Sequence, residues 1–334
     1  MILLRTDPVD PDPAALRQAA EVLRAGGLVA FPTETVYGLG AHALDPAAIR
    51  RIYEAKGRPS YNPLIVHVAD ARSARALASA WPDEAERLAA AFWPGPLTLV
   101  LPKHDSIPDS VTAGLPSVAL RVPAHPVAHA LLREAGIPIA APSANRSTGV
   151  SPTTAQHVAR SLGERVDVIV DGGPCPVGIE STVLSLAGPV PTLLRPGTIS
   201  IDDLRPVIGD VALASSATDA TAARPSPGML DRHYAPRATV RIVPREDRER
   251  VMADAAAAVD RGHWVGALLL DDAHDPRITP VLRMPDDPAG YASRLYAALH
   301  ELDDGGCDVI LVDAPPDAPA WAGVRDRLRR AATE

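Results

Sequence analysis

The stretch KGRPSYNPLIVHV, residues 56–68, contains residue types that the rest of the chain uses sparingly. The chain has 31 Arg but only two Lys and two Asn, and one Lys and one Asn, Asn62, fall in this stretch. Lys56 and Arg58 flank a glycine and can both contact phosphate oxygens, the lysine as a point charge and the arginine as a planar fork. The alternative, favoured for the pair taken alone, is that both cations cap the C-terminal end of a helix.

The second Asn lies in another loop that is rich in small and hydroxyl residues, APSANRSTGVSPTTAQ at residues 141–156. This loop follows the predicted strand IPIAA, and ligands in open α/β sheets bind at the carboxyl ends of strands. Small residues let backbone N–H groups approach a ligand closely, although Ser151 to Thr153 also resembles a helix start. Turn-forming Asn residues would be scattered, so the positions of Asn62 and Asn145 in two candidate loops favour ligand contacts.

Three further stretches carry polar groups that could complete such a site. FPTETVYGLGAHA offers threonine and tyrosine hydroxyls, and we interpret its Gly38 and Gly40 as allowing a tight turn. Arg121 lies in the apolar strand VALRV, and a buried Arg requires an anionic partner, which could be a protein carboxylate or a ligand carboxylate. The stretches GIESTVLSL and LLRPGTIS add hydroxyls and Arg195.

His67 lies inside the apolar strand LIVHV, where a histidine is more often a core residue than a ligand-binding one. Alternation along the strand places Ile65 and His67 on one face and Leu64, Val66 and Val68 on the other. From the residues alone, both interpretations of this histidine stay open.

Composition restricts the classes of protein to which the chain can belong. Its 334 residues are enough for two domains, and 46% hydrophobic and 22% charged residues are ordinary for a globular protein. Two cysteines far apart in sequence argue against a disulfide framework or a cysteine zinc site. The N-terminus lacks the pattern of a signal peptide, and no run of about 18 apolar residues is present, so we expect a cytoplasmic protein.

The net charge of −8 is concentrated in residues 201–334, where 23 acidic residues stand against 16 basic ones. A broad nucleic-acid surface needs clustered excess positive charge, which neither part of the chain shows. The basic stretch RDRLRR, residues 325–330, coincides with the predicted last helix. We interpret it as a solvated helix end rather than a binding patch.

Helix and strand patterns alternate from residue 12 to residue 195, which predicts an α/β domain. Residues 209–236 are rich in Ala, Ser, Thr and Pro and are typical of a linker, and a second alternation follows from residue 238. Neither a GxGxxG nor a P-loop motif marks this second part as nucleotide-binding. The predicted organisation is a first domain at 1–205, a linker or lid at 206–237, and a small α/β domain at 238–334.

Seven motifs resemble, in this order, those of the YrdC-like family: FPTETVYGLG, KGRPSYNPLIVHV, FWPGPLTLVL, ALRVPAHP, APSANRSTGVSPT, GIESTVL and LRPGTIS. The tail, PSPGMLDRHYAP followed by a small α/β domain, resembles the long two-domain form of this family, the threonylcarbamoyl-AMP synthases. The resemblance covers nearly the whole chain. It implies a YrdC-like domain built on a twisted mixed sheet, a linker, and a small Rossmann-like α/β domain.

The resemblance also implies an activity. Members of the two-domain form convert L-threonine, bicarbonate and ATP, with Mg²⁺, to threonylcarbamoyl-AMP and pyrophosphate. A separate tRNA threonylcarbamoyl transferase complex then moves the threonylcarbamoyl group to the adenosine next to the anticodon. The synthase need not hold tRNA itself, so no stable direct tRNA binding is expected, in agreement with the negative charge.

The family's functional residues, carried over motif by motif, fall into two sets. The threonine side comprises Thr35, His67, Arg121, Ser143 and Ser181. The nucleotide side comprises Lys56, Arg58, Asn62, Ser117, Ala141 (through its backbone), Asn145, Ser151, Arg195 and Tyr234. Catalysis is expected to be positioning and charge neutralisation, chiefly by Lys56, Arg58 and His67, without a covalent intermediate or a resident metal site. Because carbamates decompose in water, residues 231–236 are expected to fold over the site as a lid.

Two other functions remain as alternatives. One is a carbamoyl transferase of the hydrogenase-maturation type, which shares a YrdC-like domain but carries acylphosphatase and zinc-finger modules that are not seen here. The other is a non-enzymatic RNA-binding or ribosome-assembly module, whose signature would be a concave basic surface. The net charge of −8 argues against this second alternative.

Overall fold

Helices and strands alternate along the chain in the computed structural model, which describes residues 1–214, 233–272 and 274–332. Within these residues an 11-stranded twisted mixed sheet has the order β1-β8-β2-β3-β7-β4-β6-β5-β9-β10-β11. Its strands are β1 (Ile2–Arg5), β2 (Val29–Phe31), β3 (Gly38–His42), β4 (Ile65–His67), β5 (Leu97–Pro102), β6 (Ser117–Arg121), β7 (Ile139–Ala140), β8 (Val168–Asp171), β9 (Thr182–Ser185), β10 (Thr192–Arg195) and β11 (Ala212–Leu213).

Helices pack against this sheet, with a core of small and branched aliphatic side chains between the layers. They are α1 (Pro13–Arg24), α2 (Pro46–Lys56), α3 (Ala71–Ala76), α4 (Asp83–Phe92), α5 (Asp109–Thr112), α6 (Pro126–Ala135), α7 (Ala155–Leu162) and α8 (Ile201–Ile208). The predicted α/β class with a mixed sheet is confirmed.

A second sheet of four parallel strands, in the order β12-β15-β13-β14, forms within the described part of the C-terminal region. Its strands are β12 (Thr239–Val243), β13 (Val265–Leu269), β14 (Val281–Arg283) and β15 (Val309–Asp313), and its helices are α9 (Arg248–Asp260), α10 (Pro288–Asp304) and α11 (Ala322–Ala331). The small parallel α/β unit is therefore as expected. The predicted domain boundaries stay predictions. Helix α8 continues to Ile208, past the predicted end of the first domain at residue 205.

The ends of α2 follow directly from the sequence. The side chain of Asp45 accepts a hydrogen bond from the backbone of Ala47, and Pro46 occupies the first turn, where its missing N–H costs nothing. Gly57 ends the helix at φ 61°, in the left-handed region that glycine adopts without strain. The helix therefore ends at Lys56, and the chain turns at once, with the backbone N–H of Arg58 donating to Tyr53 O at 3.0 Å.

Strand β4 shows the predicted alternation of faces. Leu64, Val66 and Val68 belong to the main hydrophobic core. Ile65 and His67 lie on the opposite face, where both line a cavity. The strand therefore presents its histidine to a cavity instead of to the core.

The interpretation of Gly38 and Gly40 as turn residues is wrong, because both lie in strand β3, antiparallel to β2. A Cβ atom on Gly40 would lie 2.7 Å from Phe31 Cε1 and 2.9 Å from Ile139 Cγ2. Glycine is required there for close packing between strands rather than for turn geometry. Strands β1 and β14 and helix α8 are further elements that the sequence patterns did not predict.

The interpretation of RDRLRR as a solvated helix end is also wrong in part. Arg327 is completely buried and Arg330 nearly so, whereas Arg329 on the same helix is exposed. Arg327 Nε donates to Glu180 Oε2 at 2.7 Å, which joins α11 to the loop before β9. A cluster of arginines on one helix thus carries both an interior contact and a solvated face.

The predicted linker at 209–236 falls largely on residues 215–232, which lie outside the described residues. Of the predicted lid, residues 233–236 are described and the preceding two are not. Across the described ranges, none of the helices combines the length and the apolar character that crossing a membrane requires.

Replacing Arg327 by Met should lower the free energy of unfolding by about 3–5 kcal/mol, because the Glu180 carboxylate would be left buried without its cation. Urea denaturation of the whole chain measures this. Arg329→Met is the matched control, since its side chain is 63% exposed and it should cost less than about 1 kcal/mol. Equal urea midpoints for the two variants would contradict the prediction.

The same variant should change the acid response. The pKa of Glu180 is lowered from 4.5 in the folded protein, so its contribution to stability is present above pH 4.5 and is lost as the pH falls through the folded pKa. The difference in stability between the unmodified chain and Arg327→Met should therefore narrow below pH 4.5. A difference that stays constant down to pH 3 would show that the ion pair is not its cause.

Candidate active site

A small cavity lies where the carboxyl ends of β4 and β6 meet the turn after β2 and the loops after β7 and before β9. Its lining residues are Thr33, Thr35, Val36, Gly38, Arg58, Ile65, His67, Arg121, Ala141, Pro142, Ser143, Glu180, Ser181, Arg195, His233 and Tyr234. The cavity volume is about 50 Å³, far below the roughly 300–1,000 Å³ typical of a small-molecule site. His233 and Tyr234 form part of its wall and are buried, so a large ligand requires them to move.

The guanidinium of Arg121, at the end of β6, has three protein contacts, of which two are hydrogen bonds and one is an ion pair without hydrogen-bond geometry. Nε donates to Gly95 O at 3.2 Å and Nη1 to Thr35 Oγ1 at 3.0 Å. Nη2 lies 2.7 Å from Glu34 Oε1, and both side chains of this ion pair are buried. Of the two anionic partners that the sequence left open, the structure therefore shows the protein carboxylate.

His67 lies beside Arg121 in the parallel register of β4 and β6. Its ring packs edge-on against Phe31, with the ring centroids 6.5 Å apart. Burial, and then the charge of Arg121, lower the pKa of His67 to about 3. The imidazole is therefore neutral at physiological pH and a weak proton acceptor, which suits it to holding a substrate better than to taking its proton.

The side chain of Arg58 bends back over its own loop. Nε donates to Asn62 O at 3.0 Å and Nη2 to Pro63 O at 2.8 Å. Burial lowers the pKa of Arg58 to about 10, so the group stays cationic at physiological pH. The amide of Asn62 is completely buried, and neither of its side-chain atoms has a hydrogen-bond partner among the described residues.

The ammonium group of Lys56 is buried against the loop that follows β7. Nζ donates to Ser143 O at 2.6 Å and to the carbonyl oxygen of Asn145. Burial lowers the pKa of Lys56 well below its usual range. The rare Lys thus anchors the loop that holds the second rare Asn.

The side chain of Asn145 shapes this loop from within. Its Nδ2 donates to Arg146 O at 2.8 Å and to Gly149 O at 2.7 Å, and its Oδ1 accepts from Ser143 Oγ at 2.6 Å. An aspartate could accept from Ser143 but could not donate to the two carbonyls. The loop geometry therefore explains an amide at this position.

Arg195 and Ser181 form another part of the cavity wall. Arg195 donates to the carbonyl oxygen of Ser181 from Nε at 3.1 Å and from Nη2 at 3.0 Å, and Nη2 lies 3.2 Å from Ser181 Oγ. Burial lowers the pKa of Arg195. The Ser181 hydroxyl also lies 2.7 Å from Thr98 Oγ1, which fixes it at the cavity wall.

Glu180 connects the cavity to the C-terminal helices. Its Oε1 accepts from Ser151 Oγ at 2.5 Å, and its Oε2 accepts from Tyr296 OH at 2.9 Å and Arg327 Nε at 2.7 Å. Burial by itself would raise the pKa of Glu180, but Arg327, Arg195 and the Ser151 hydroxyl together lower it. The carboxylate is therefore ionised, and both of its oxygens accept hydrogen bonds.

Tyr234 enters the cavity wall with φ 62°, an unusual value for a non-glycine residue. Its ring lies 5.3 Å from the Arg327 guanidinium carbon and 5.8 Å from the Tyr296 ring. The adjacent His233 packs against it with a centroid distance of 4.1 Å, and its backbone N–H donates to Arg330 O at 3.0 Å. Helices α10 and α11 thus hold both residues in the cavity.

Most of the residues predicted from the motifs meet at this cavity. Those that line it are Thr35, Arg58, His67, Arg121, Ala141, Ser143, Ser181, Arg195 and Tyr234. Those that do not line it are Lys56, Asn62, Ser117, Asn145 and Ser151. The backbone N–H of Ala141 donates to Ile65 O at 2.9 Å, and Ser117 begins β6, roughly 13 Å before Arg121 at about 3.3 Å per residue.

Four polar residues at the site were absent from the predicted threonine and nucleotide sets: Thr33, Glu34, Glu180 and His233. Each lies inside a stretch that the sequence analysis singled out, so position in a motif was the available signal. Their roles depend on partners far away in sequence, such as Arg121 for Glu34 and Arg327 for Glu180. Within the described ranges, no three His, Cys, Asp or Glu residues lie close enough together to bind a metal ion.

Known protein families match two consecutive parts of the chain. A family model described as "Telomere recombination" matches residues 21–197, and one described as "Threonylcarbamoyl-AMP synthase, C-terminal domain" matches residues 199–333. A Bacillus subtilis protein named threonylcarbamoyl-AMP synthase is 44% identical over 98% of this chain and 95% of its own length. A Pyrococcus abyssi protein of the same name is 44% identical over 95% of this chain and 93% of its own length.

Solved structures extend the comparison to the fold. The crystal structure of P. abyssi Sua5 complexed with L-threonine matches with a TM-score of 0.93 and 41% identity, covering 99% of this chain and 98% of that one. E. coli YciO matches with a TM-score of 0.55 and 25% identity, covering 62% of this chain and all of its own. Because both family models and these relatives together span almost the whole chain, it belongs to the YrdC-like family, in its two-domain threonylcarbamoyl-AMP synthase form.

Proposed function

We propose that the chain is an L-threonylcarbamoyladenylate synthase, which makes threonylcarbamoyl-AMP and pyrophosphate from L-threonine, bicarbonate and ATP. The observation that carries this proposal is the burial of three guanidinium groups, those of Arg58, Arg121 and Arg195, around one cavity lined with hydroxyls. Buried cations attract anions strongly, and each of the three substrates carries negatively charged oxygens. The names of the two-domain relatives support the same activity.

The nucleotide side is proposed to lie between Arg58 and Arg195. Contacts with two carbonyl oxygens use only two of the five N–H groups of Arg58. Carbonyl contacts satisfy N–H groups without cancelling the charge, so the guanidinium keeps its attraction for phosphate oxygens. Lys56 acts on this side chiefly by holding the Ser143–Asn145 loop in place.

The threonine side is proposed to lie between Arg121 and His67. A planar guanidinium binds a carboxylate through two parallel hydrogen bonds, which suits Arg121 to the amino-acid carboxylate. The hydroxyls of Thr35, Ser143 and Ser181 and the neutral imidazole of His67 suit the other polar groups of threonine. The L-threonine complex of the similar P. abyssi protein supports an amino-acid site in this fold.

The proposed reaction has two steps. The threonine ammonium group first loses a proton; the free amine then attacks the carbon of bicarbonate and water leaves, which gives a carbamate. A carbamate oxygen then attacks the α-phosphorus of ATP, and the bond from that phosphorus to the bridging oxygen of pyrophosphate breaks. Fixed cations stabilise the negative charge that accumulates in this step, and orientation of the reactants supplies much of the remaining acceleration.

Mg²⁺ is proposed to enter with the triphosphate. The cavity offers guanidinium and hydroxyl groups, and the site lacks a cluster of metal-binding side chains within the described residues. Mg²⁺ commonly keeps several waters and binds through substrate phosphates, which fits such a site. The ion supplies neutralisation of phosphate charge when it is bound.

The product is proposed to pass to a separate tRNA threonylcarbamoyl transferase complex, and stable tRNA binding by this chain is not part of the proposal. The net charge of −8 supports this division, because it disfavours a polyanion. The carbamoyl-transferase and RNA-binding alternatives become outcomes of the activity test.

The test is pyrophosphate release from ATP and Mg²⁺, with L-threonine and bicarbonate omitted in turn. We expect release only when both are present, because the carbamate is the nucleophile. Release that depends on carbamoyl phosphate would favour carbamoyl transfer. Absence of release together with tight, salt-dependent RNA binding would favour the RNA-binding alternative.

Lys56→Arg should lower kcat/KM for ATP by on the order of 100-fold, because a buried point donor that satisfies two carbonyl oxygens has no room for a guanidinium. Steady-state pyrophosphate release measures the effect. Lys103→Arg is the matched control, since it changes the other lysine of the chain, which pairs with Asp109 away from the cavity. Full activity of Lys56→Arg would contradict the hypothesis that this position requires a lysine.

Tyr234→Ala should raise ATP hydrolysis without threonylcarbamoyl-AMP formation or lower turnover, because the wall that excludes water would be opened. Pyrophosphate release is compared with adenylate product in the same reaction. Tyr234→Phe keeps the ring contacts with Arg327 and Tyr296 and should therefore keep the two yields coupled. Unchanged kinetics in the alanine variant would exclude a closing role for this segment.

A further inference from the structure

We infer that Glu34 is a positioning residue for substrate binding: its carboxylate fixes the Arg121 guanidinium in the orientation that grips the carboxylate of the amino acid. This inference rests on the proposed threonine site. Glu34 itself is not among the residues that line the cavity, whereas Arg121 and its other side-chain partner, Thr35, are. Glu34 therefore acts on the substrate through the arginine and not by contact.

The turn that carries Glu34 is closed by hydrogen bonds. Thr33 Oγ1 accepts from the backbone N–H groups of Thr35 and Val36, both at 3.2 Å, and donates to Val36 O at 2.7 Å. The carbonyl oxygen of Glu34 accepts from the backbone of Val177 at 2.7 Å. These hydrogen bonds fix the backbone position from which the Glu34 side chain extends to Arg121.

Two neighbouring side chains of this turn contact the two terminal nitrogens of one guanidinium, Thr35 through a hydrogen bond and Glu34 through an ion pair that lacks hydrogen-bond geometry. Thr35 Oγ1 accepts from Nη1 of Arg121 at 3.0 Å, and Glu34 Oε1 lies 2.7 Å from Nη2. Gly95 O accepts from Nε at 3.2 Å. Two hydrogen bonds and one ion pair thereby orient the guanidinium, and among the described residues Nη2 has no hydrogen-bond partner, which leaves it available to one oxygen of a bidentate carboxylate.

Stability does not account for this pair. A buried ion pair is often no more stable than apolar side chains of the same volume. The side chains of Glu34 and Arg121 are only 7% and 4% exposed, so their charges are costly to keep. Retaining both is understandable if the guanidinium must remain cationic and correctly oriented for a ligand.

The test is a double-mutant cycle on the whole chain with Glu34→Gln, Arg121→Gln and the double variant. Glu34→Gln should raise KM for threonine by on the order of ten-fold or more, with kcat and KM for ATP changed less than about two-fold. In the Arg121→Gln background the same change should have less than about a two-fold effect, because the group that it positions is gone. Glu34→Asp keeps the charge one methylene short and should give an intermediate KM for threonine.

The outcomes distinguish failure of the proposed threonine site from failure of the positioning role of Glu34. If Arg121→Gln leaves KM for threonine unchanged, the proposed threonine site is wrong. If Arg121→Gln raises this KM but Glu34→Gln leaves it unchanged or lowers it, the threonine site stands and the positioning role is overturned. Equal rises in KM for threonine and ATP, with a lower urea midpoint, would assign Glu34 a general structural role and also overturn it. Should Glu34→Gln fail to fold, Glu34→Asp decides by the same comparison of KM values.

Discussion

Charged groups that are buried away from water must have partners, and at Glu180 this requirement joins the two sheets of the molecule. Its carboxylate accepts from Ser151 in the first part of the chain and from Tyr296 and Arg327 in the C-terminal part. Arg327 in turn lies over the ring of Tyr234. A single carboxylate therefore links the loop after β7, the loop before β9, two C-terminal helices and the wall of the cavity.

The same constraint gives the cavity its electrostatic character. Arg58 is held by backbone carbonyl oxygens, which satisfy N–H groups but leave the positive charge in place. Arg195 donates to Ser181, and its charge also lowers the pKa of Glu180. Arg121 is paired with a carboxylate, which sets its orientation and offsets part of its charge. Local fields of this kind depend on nearby groups rather than on net charge, so a chain of charge −8 can hold an anion-binding cavity.

Local sequence was a good guide wherever the deciding interactions were local. Helix α2 begins and ends where Asp45, Pro46 and Gly57 place it, since these residues act within one turn. Strand alternation correctly separated His67 from the core face of β4. The motif resemblance placed most of the predicted site residues at one cavity, although their functional roles stay predictions.

Where the deciding partner lies far along the chain, local sequence patterns gave a wrong prediction or none. Gly40 looked like a turn residue, yet its role is set by Phe31 and Ile139 packing against it from neighbouring strands.

The sequence by itself thus determined the α/β class, the local ends of the helices, the separation into two α/β parts and the identity of the family. The tertiary structure decided which of its many arginines are buried, what each one contacts and which face of each loop meets the cavity. The physical reason is range: capping, alternation and turn formation act within a few residues. Desolvation of a charge depends on every element that packs around it, and Glu34 with Arg121 and Glu180 with Arg327 become pairs only once the sheets have formed.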